Sequence, residues 1–378
     1  MSSEEHPLET QGVNTFHLMA DSLFPQTTRL GRLGLLCLLT LSLLAASGCK
    51  TLFGDIAKKQ VSVPPLLKPL KDATTAELIA EVNRVANVRS LRGKVDIEFQ
   101  DTSFSEFGIN DKYRTAEGSV IVQRPGQVYL EVNGPFGVEV ARMTSDGQHF
   151  RAAILKGDDK YRRFVKGTNN AKYQTFEMGD GAAAKDKEKR SEQRAVSALS
   201  NLRPQHLTDA LLVRPIEARS DSGFIYTQSE FYEEEAQPQT NDKQARANKT
   251  GRVVRGYYFL DEVFRSDDGS GHLLRRFWFD RVNGIRFARL QTFDERGDLI
   301  TDVTYNDTKP FGEGGRVTLP SRIELSRPHD GYKLALTYQA PEEAIVDREY
   351  PPNIFILENK WQLPEVDLDT KKTVTSGK

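Results

Sequence analysis

Apolar and polar residues alternate along several short stretches of this chain, as they do in β-strands that bury one face and expose the other. The stretches RGKVDIEFQ and GQVYLEVN are the clearest, and residues 138–140 continue the pattern after a turn. The apolar residues predicted to share one face are Val95, Ile97, Phe99, Val128, Leu130, Val132, Val138 and Val140. Glycines fall between such stretches at hairpin spacing, so the sequence predicts about a dozen antiparallel strands in nearly consecutive order.

A helical period comes just before the first predicted strand. Leu78, Val82 and Val85 recur at three- and four-residue spacing, and either Thr74 or Thr75 is suited to cap the helix. The stretch RPQHLTDALLV has a second, shorter amphipathic pattern. Both helices are expected to lay an apolar stripe against the sheet, which gives a mainly β (α+β) fold.

The N-terminus has the layout of an export signal. Arg29 and Arg32 precede an uncharged apolar run that is shorter than the roughly twenty residues of a membrane-spanning helix. The run ends in Ala46-Ser47-Gly48-Cys49, which resembles the bacterial lipobox, where a peptidase cuts before a cysteine that receives a diacylglycerol. We therefore predict a lipoprotein signal peptide over residues 1–48, with Met19 as an alternative start, and lipid attachment at Cys49. An uncleaved anchor helix is the alternative.

The remaining chain divides by composition. Residues 49–72 are rich in proline and have little periodicity, so they are predicted to form a flexible tether to the lipid. Residues 73–345 carry the strands and are predicted to form one domain, with a polar and partly helical insertion at about 168–250. Within that insertion, the stretch YEEEAQPQTNDKQARANKTGR is predicted to be a mobile loop because it is too polar to bury. Residues 346–378 are assigned to a C-terminal tail.

Composition argues against several classes of function. The 378 residues carry a formal net charge of -1 without a basic stripe, so nucleic-acid binding is not expected. The chain has no His-Glu-x-x-His, no Gly-x-Ser-x-Gly and no phosphate loop, and SDDGSGH is typical of a hairpin turn. We therefore expect no enzyme, no metal and no cofactor. Cys37 and Cys49 are the only cysteines, so a chain processed at Cys49 would have no free thiol and no disulfide.

Several segments together resemble the carrier and receptor proteins of the outer-membrane lipoprotein sorting pathway, the LolA/LolB family. The resemblance covers residues 74–155 and, more loosely, 250–345. It is carried by the capped helix, by Arg124-Pro125 and Asp146-Gly147, and by the segments LRGKV, QRPGQVYLEVNGPFGVEVARMTSDGQHF, PSRIEL and YKLALTY. The lipid-anchored receptor is the closer of the two, because its Asn-Pro-hydrophobic-Gly turn is similar to Asn133-Gly134-Pro135-Phe136-Gly137.

The resemblance implies an unclosed antiparallel β half-barrel whose concave apolar face is covered by helices and encloses a pocket for acyl chains. A large curled sheet with one apolar face also needs a cover or a ligand on physical grounds, and a filled core is the alternative to a cavity. The implied function is to bind the acyl chains of lipoproteins, or phospholipid, and to hand them to the outer membrane. A periplasmic carrier protein is a possible partner, and Lys50 after the lipidated cysteine favours the outer membrane. A structural or envelope-stress signalling lipoprotein that binds a partner protein is the alternative.

The turn Gly134, Pro135, Phe136 and Gly137 is the predicted membrane contact. In the receptor that the chain resembles, the hydrophobic residue of this turn protrudes into solvent and touches the membrane during delivery. Gly134 and Gly137 allow positive φ angles and Pro135 restricts the backbone, so Phe136 is expected to point outward. The alternative is that the Phe136 ring folds back onto its own hairpin.

Overall fold

The computed structural model describes residues 63–102, 111–112, 116–156, 159, 162–169, 171, 204–217, 223–237, 251–282 and 284–370. Cys49, the predicted signal peptide and most of the predicted tether lie outside the described residues. Residues 64–378 form one compact unit, and the description that follows concerns that unit.

The described residues form one mixed but predominantly antiparallel sheet and two α-helices, so the predicted mainly β fold is confirmed. The helices are α1 (Thr75–Ala86) and α2 (Pro204–Leu211). The strands are β1 (Ser90–Asp101), β2 (Asp111–Lys112), β3 (Ala116–Gln123), β4 (Gln127–Asn133), β5 (Glu139–Asp146), β6 (His149–Ile154), β7 (Arg163–Thr168), β8 (Phe224–Ala236), β9 (Arg252–Arg265), β10 (Gly271–Asp280), β11 (Arg286–Phe293), β12 (Leu299–Phe311), β13 (Val317–Arg327), β14 (Tyr332–Tyr338), β15 (Ile345–Val346) and β16 (Glu365–Asp367).

The sheet is unclosed and its strands follow the order β16-β7-β6-β5-β4-β3-β1-β14-β13-β12-β11-β10-β9-β8. β1 pairs with both β3 and β14, so it joins the N-terminal strands to the C-terminal meander. The described residues contain 16 strands where about a dozen were predicted. Three of the strands that the prediction missed are the short strands β2, β15 and β16, which have too few residues to show an alternating pattern.

Helix α1 begins where the sequence predicts. Thr74 and Glu77 form a capping box in which each side chain binds the backbone N–H of the other residue. Leu78, Val82 and Val85 are buried along one face of the helix. Together with Leu207 and Leu211 of α2, they belong to the large hydrophobic cluster formed by the inward-facing strand residues. The two helices and the sheet therefore share one core.

The sheet extends beyond residue 345, where the sequence places the start of a tail. Val346 of β15 pairs with Leu91 of β1, and β16 forms the edge strand beside β7. Between them, Phe355 is completely buried and packs with Ile121 of β3, on the face opposite the helices. Leu357 and Leu363 pack with Ala153 and Phe164 in a similar way. The segment from 346 to 370 therefore covers the second face of the N-terminal strands.

Part of the predicted insertion belongs to the sheet, and the expected mobile loop is wrong for residues 232–236. This glutamate-rich stretch is the second half of β8, which pairs with β9 over its whole length. Polarity does not prevent this, because β8 is an edge strand with mostly exposed side chains and its backbone supplies the pairing. Glu234 and Glu235 form ion pairs with Arg252 and Arg255 of β9.

The last residues of the predicted tether are docked on the sheet. The backbone N–H of Val254 in β9 donates to the carbonyl of Pro65, and Leu67 N–H donates to the carbonyl of Val254. Leu70 lies over Gly256, where a Cβ atom would approach within 2.5 Å of the leucine side chain. The nearly buried guanidinium of Arg281 binds the Asp72 carboxylate at 2.7 Å. The N-terminal segment is thereby fixed beside β9 from Pro65 onward.

Candidate functional site

The interior face of the sheet carries the predicted acyl-chain residues. Within the large hydrophobic cluster are Val95, Ile97, Phe99, Val128, Leu130 and Val132, all buried. In β4 every second residue is buried, because the strand alternates between the hydrophobic core and the partly exposed outer face. Val140 is half-buried against the same cluster. The strand period predicted the burial of these seven side chains, and their contact with acyl chains stays a prediction.

Val138 does not belong to this face, so its assignment to the acyl-chain residues is corrected. Its side chain is 61% exposed. The pairing between β4 and β5 shifts register after Val132, so that Asn133 lies opposite Glu139. This bulge and the short 3-10 turn that follows break the period-two alternation between residues 133 and 139. The extrapolation from Val140 back to Val138 fails for that reason.

A small apolar pocket opens next to the turn. Its volume is about 10 Å³, which is room for about one water molecule. Val132 and Ala141 lie opposite each other on β4 and β5, one pair before the bulge. The residues that line the pocket are Leu130, Val132, Ala141, Arg142, Met143, Ala152, Ala153 and Ile154.

The turn holds Phe136 away from the protein. Phe136 is fully exposed, at 103% of its reference area, and has a positive φ of 63°. Gly137 has a φ of 71°, whereas Gly134 has a φ of -81° and does not use the freedom expected of it. The N–H of Gly134 donates to the Val138 carbonyl at 2.8 Å and closes the turn. A phenylalanine in this left-handed region is uncommon and costs free energy, so the turn keeps a strained and solvated aromatic ring.

A polar network supports the hairpin under this turn, on the outer face. Arg142 of β5 donates to Glu139 at 2.6 Å and to Glu131 of β4 at 3.3 Å. Tyr129 donates to Glu131 at 2.8 Å, and burial raises the pKa of Tyr129 to about 12. Desolvation raises the pKa of Glu131, but hydrogen bonds from Tyr129 and Asn133 outweigh it and leave that pKa below its ordinary value. The bond from Arg142 to Glu131 joins β5 to β4, and the others hold these side chains in place within each strand.

Arg124 joins the C-terminal ends of both helices. Its guanidinium donates to the carbonyls of Ala86 (2.8 Å) and Val88 (3.0 Å) at the end of α1, and to those of Leu212 (3.4 Å) and Val213 (2.6 Å) just after α2. Helix C-termini leave carbonyls without intrahelical partners, and a cation there is favoured by the helix dipole. Burial lowers the pKa of Arg124, but an arginine remains charged at any physiological pH. The sequence singled out Arg124 only as part of a motif and did not reveal this contact.

Further hydrogen bonds fix the helices on the core. The Asn83 side chain of α1 exchanges two hydrogen bonds with the backbone of Ile216, at 2.7 and 3.0 Å. His206 of α2 lies 2.7 Å from the Tyr332 hydroxyl in β14, and Tyr305 donates to the Ala210 carbonyl. In the described part of the chain, neither helix is long and apolar enough to cross a membrane.

Comparison with known proteins gives only distant matches. No family model and no curated protein matches the sequence. Among solved structures, a LolA superfamily protein from Nitrosomonas europaea is 11% identical, with a TM-score of 0.37, over 76% of this chain and 99% of that one. A DUF1329 family protein from Desulfovibrio piger is 10% identical (TM-score 0.38; 76% and 98% covered). A putative outer membrane lipoprotein-sorting protein domain from Vibrio parahaemolyticus is 11% identical (TM-score 0.36; 74% and 94% covered). The family that the sequence resembles is thus among those with solved structures similar to this chain.

Proposed function

We propose that this chain is a lipid-anchored envelope protein that binds acyl chains in an unclosed β half-barrel and hands them to the outer membrane. The main support for the proposal comes from one hairpin, which is formed by β4, the Phe136 turn and β5. Val128, Leu130 and Val132 of β4 face the core under the helices, and Phe136, four residues after Val132, is fully exposed. Binding and hand-off require no bond to form or break, which agrees with the lack of catalytic motifs.

The cargo is the acyl part of a lipoprotein or of a phospholipid. Each CH₂ group gains about 0.8 kcal/mol when it leaves water, so a chain of sixteen carbons loses roughly 12 kcal/mol if it crosses an aqueous space uncovered. An enclosed apolar face removes most of that cost. The inward residues of β1 and β4 supply such a face, and a carrier protein that delivers cargo is the expected periplasmic partner.

We propose that loading moves the two helices. The inward residues of β4 pack in one cluster with α1 and α2, and the pocket beside Val132 and Ala141 is far too small for an acyl chain, so cargo bound on this face of β4 would displace α1, α2 or both. The contacts that must yield are the hydrogen bonds of Arg124 and those between Asn83 and Ile216. Since these join the two helix ends to each other, we propose that they release together.

The Phe136 turn is the proposed membrane contact and the Cys49 lipid the proposed anchor. Along the spatial order from β4 to β9, every pair of neighbouring strands is antiparallel. The start of β9, where Pro65 docks, therefore lies at the opposite end of the strands from Phe136. The eleven steps from Val254 to Arg265 along β9 span about 36 Å, and the fifteen steps from Cys49 to Pro64 reach about 50 Å when fully extended. The anchor is therefore long enough to let the Phe136 turn reach the bilayer that holds the lipid.

Lipid extraction from the purified protein tests the proposal. We expect mass spectrometry to find acyl lipid with the wild-type chain, in a ratio close to one to one, and to find much less with Leu130→Glu. The matched control is Ile356→Glu, which adds the same charge at an exposed position. If the wild-type chain neither contains lipid nor takes up a fluorescent fatty acid from micelles, acyl binding is excluded. The signalling alternative, in which the acidic part of β8 around Glu233 binds a partner protein, would then be the better account.

A further inference from the structure

Within the described residues, β8 is the last strand of the sheet and pairs only with β9, so one of its edges carries unpaired backbone groups. Its pairing with β9 runs without a register shift, and the flanking residues Gly223 and Gln237 bond to Arg265, at the end of β9, and to Gly251, just before it. In an antiparallel pair only every second residue bonds to its neighbour, so the odd-numbered residues point their amides toward β9. The even-numbered residues between Phe224 and Tyr232 therefore present N–H and C=O groups to the open edge.

The same strand exposes more large hydrophobic side chains than an edge strand ordinarily tolerates. Phe224, Ile225, Phe231 and Tyr232 are between 36% and 50% exposed. Phe231 rests on the ring of Phe259 at 4.9 Å, so it is held in place and not free to turn away. The four residues are arranged symmetrically about Gln228, two on each side.

We propose that this edge pairs with β8 of a second copy of the chain, antiparallel about a two-fold axis at Gln228. In that register Phe224 lies opposite Tyr232 of the second copy, and Ile225 lies opposite Phe231. All four exposed hydrophobic residues thus meet one another across the axis. Even-numbered residues meet even-numbered ones, so the free N–H and C=O groups of the two edges face each other and form roughly ten backbone hydrogen bonds. This number is typical of a specific protein interface.

Charge disfavours the registers shifted toward Glu230, and a shift of the axis to residue 226 would instead place Phe224 opposite Gln228. The three consecutive acidic residues Glu233, Glu234 and Glu235 fall outside the overlap of residues 224–232. A shift of the axis to residue 230 would place Glu230 opposite itself, and a shift to residue 232 would place Glu234 opposite Glu230. Like charges directly opposite each other destabilise a strand pair. The inference goes beyond the proposed function, because it concerns the assembly of the chain and not its interior.

Disulfide cross-linking of the full chain in membranes tests the register. Thr227 and Ser229 are exposed and lie opposite each other across the axis, at a separation of about 4.5 Å between Cα atoms, which suits a disulfide. We expect Thr227→Cys with Ser229→Cys to give mostly dimer on oxidation. The matched control, Glu233→Cys with Ala236→Cys, also has two exposed cysteines, but each of them is more than about 30 Å from either cysteine of the second copy. The parent chain, with only Cys37 and Cys49, gives the background.

A charge at the interface provides the second measurement. Ile225→Lys, added to the cross-linking pair, should reduce the dimer about tenfold, since it faces Phe231 of the second copy. Ala236→Lys adds the same charge outside the overlap and should leave the dimer unchanged. Equal dimer from both cysteine pairs, or none from Thr227→Cys with Ser229→Cys in a chain that retains its far-ultraviolet circular dichroism, would overturn the proposal. Cross-linking to a different protein would show that the edge binds another partner.

Discussion

Leu130 and Phe136 are six residues apart on the same strand and turn, yet Leu130 is 1% exposed and Phe136 is fully exposed. The strand between them faces the core through every second residue, and a bulge and a short turn then direct the phenylalanine into solvent. A side chain that is fully solvated and strained contributes no folding energy to its own domain. We therefore expect Phe136 to contribute to contact with another surface.

Phe136→Glu should block delivery of cargo to liposomes and leave folding and cargo loading unchanged. Insertion of the ring into a bilayer contributes only about 1.5–3 kcal/mol, so the residue affects release or orientation more than anchoring. The measurement is transfer of a labelled lipoprotein from the loaded protein to vesicles. Phe136→Leu keeps an apolar side chain and should transfer at nearly the wild-type rate. Transfer by Phe136→Glu at the wild-type rate would show that the turn has no membrane role.

Leu130→Glu should lower the free energy of unfolding by about 4 kcal/mol, because the new carboxylate would be buried without a partner. Val138→Glu should change it by less than about 0.5 kcal/mol, since that side chain is exposed. Urea denaturation of both variants measures the difference. Similar losses in the two variants would contradict the exposed position of Val138.

Arg124→Leu should destabilise the fold by about 3 kcal/mol, because four carbonyls at the two helix ends lose a charged donor. Arg124→Lys should restore only part of this, as an ammonium cannot match the planar fork of the guanidinium. Hydrogen exchange should rise at the ends of α1 and α2 together. Arg89→Leu, at an exposed neighbouring position, is the control. Faster exchange in only one helix would argue against a joint release.

Asp146→Asn should destabilise the protein by about 1 kcal/mol at neutral pH, and the difference should vanish in acid. Desolvation raises the pKa of Asp146, but hydrogen bonds from the backbone N–H groups of His149 and Gln148 outweigh it, so the folded-state pKa is below the ordinary value. A lowered pKa means that the contribution is present above the unfolded-state pKa, near 3.9, and is lost as pH falls through the folded-state value. Unfolding curves at several pH values test this. A difference that stays constant down to pH 3 would mean that the carboxylate charge is irrelevant.

Cys49→Ala should abolish incorporation of labelled palmitate and leave an unprocessed precursor. The test uses metabolic labelling in cells, with Cys37→Ala as the control, since Cys37 lies inside the predicted signal peptide. Label that remains on Cys49→Ala would remove the lipid-anchor assignment and favour an uncleaved helix.

The fold class and the inward faces of β1 and β4 could be predicted because they follow from local periodicity. The start of α1 could be predicted to within one residue for the same reason, since Thr74 and Thr75 were both suited to cap it, and the structure selects Thr74. The edge strand β8 could not, because its second half has no apolar alternation and its strand geometry comes from pairing with β9. Val138 was misplaced because a bulge depends on how two strands are registered, and one strand alone does not reveal it.

The sequence by itself determined most of the side chains on the apolar face and the presence of an aromatic residue in the turn, since both depend on the order of neighbouring residues. Only the tertiary structure decided that the Phe136 ring points into solvent, that residues 346–370 cover the second face, that Arg124 joins two helix ends, and that β8 is the last strand of the sheet among the described residues. These contacts join residues far apart along the chain. Their partners depend on strand order and on the path of the backbone, which a local pattern of polar and apolar residues does not encode.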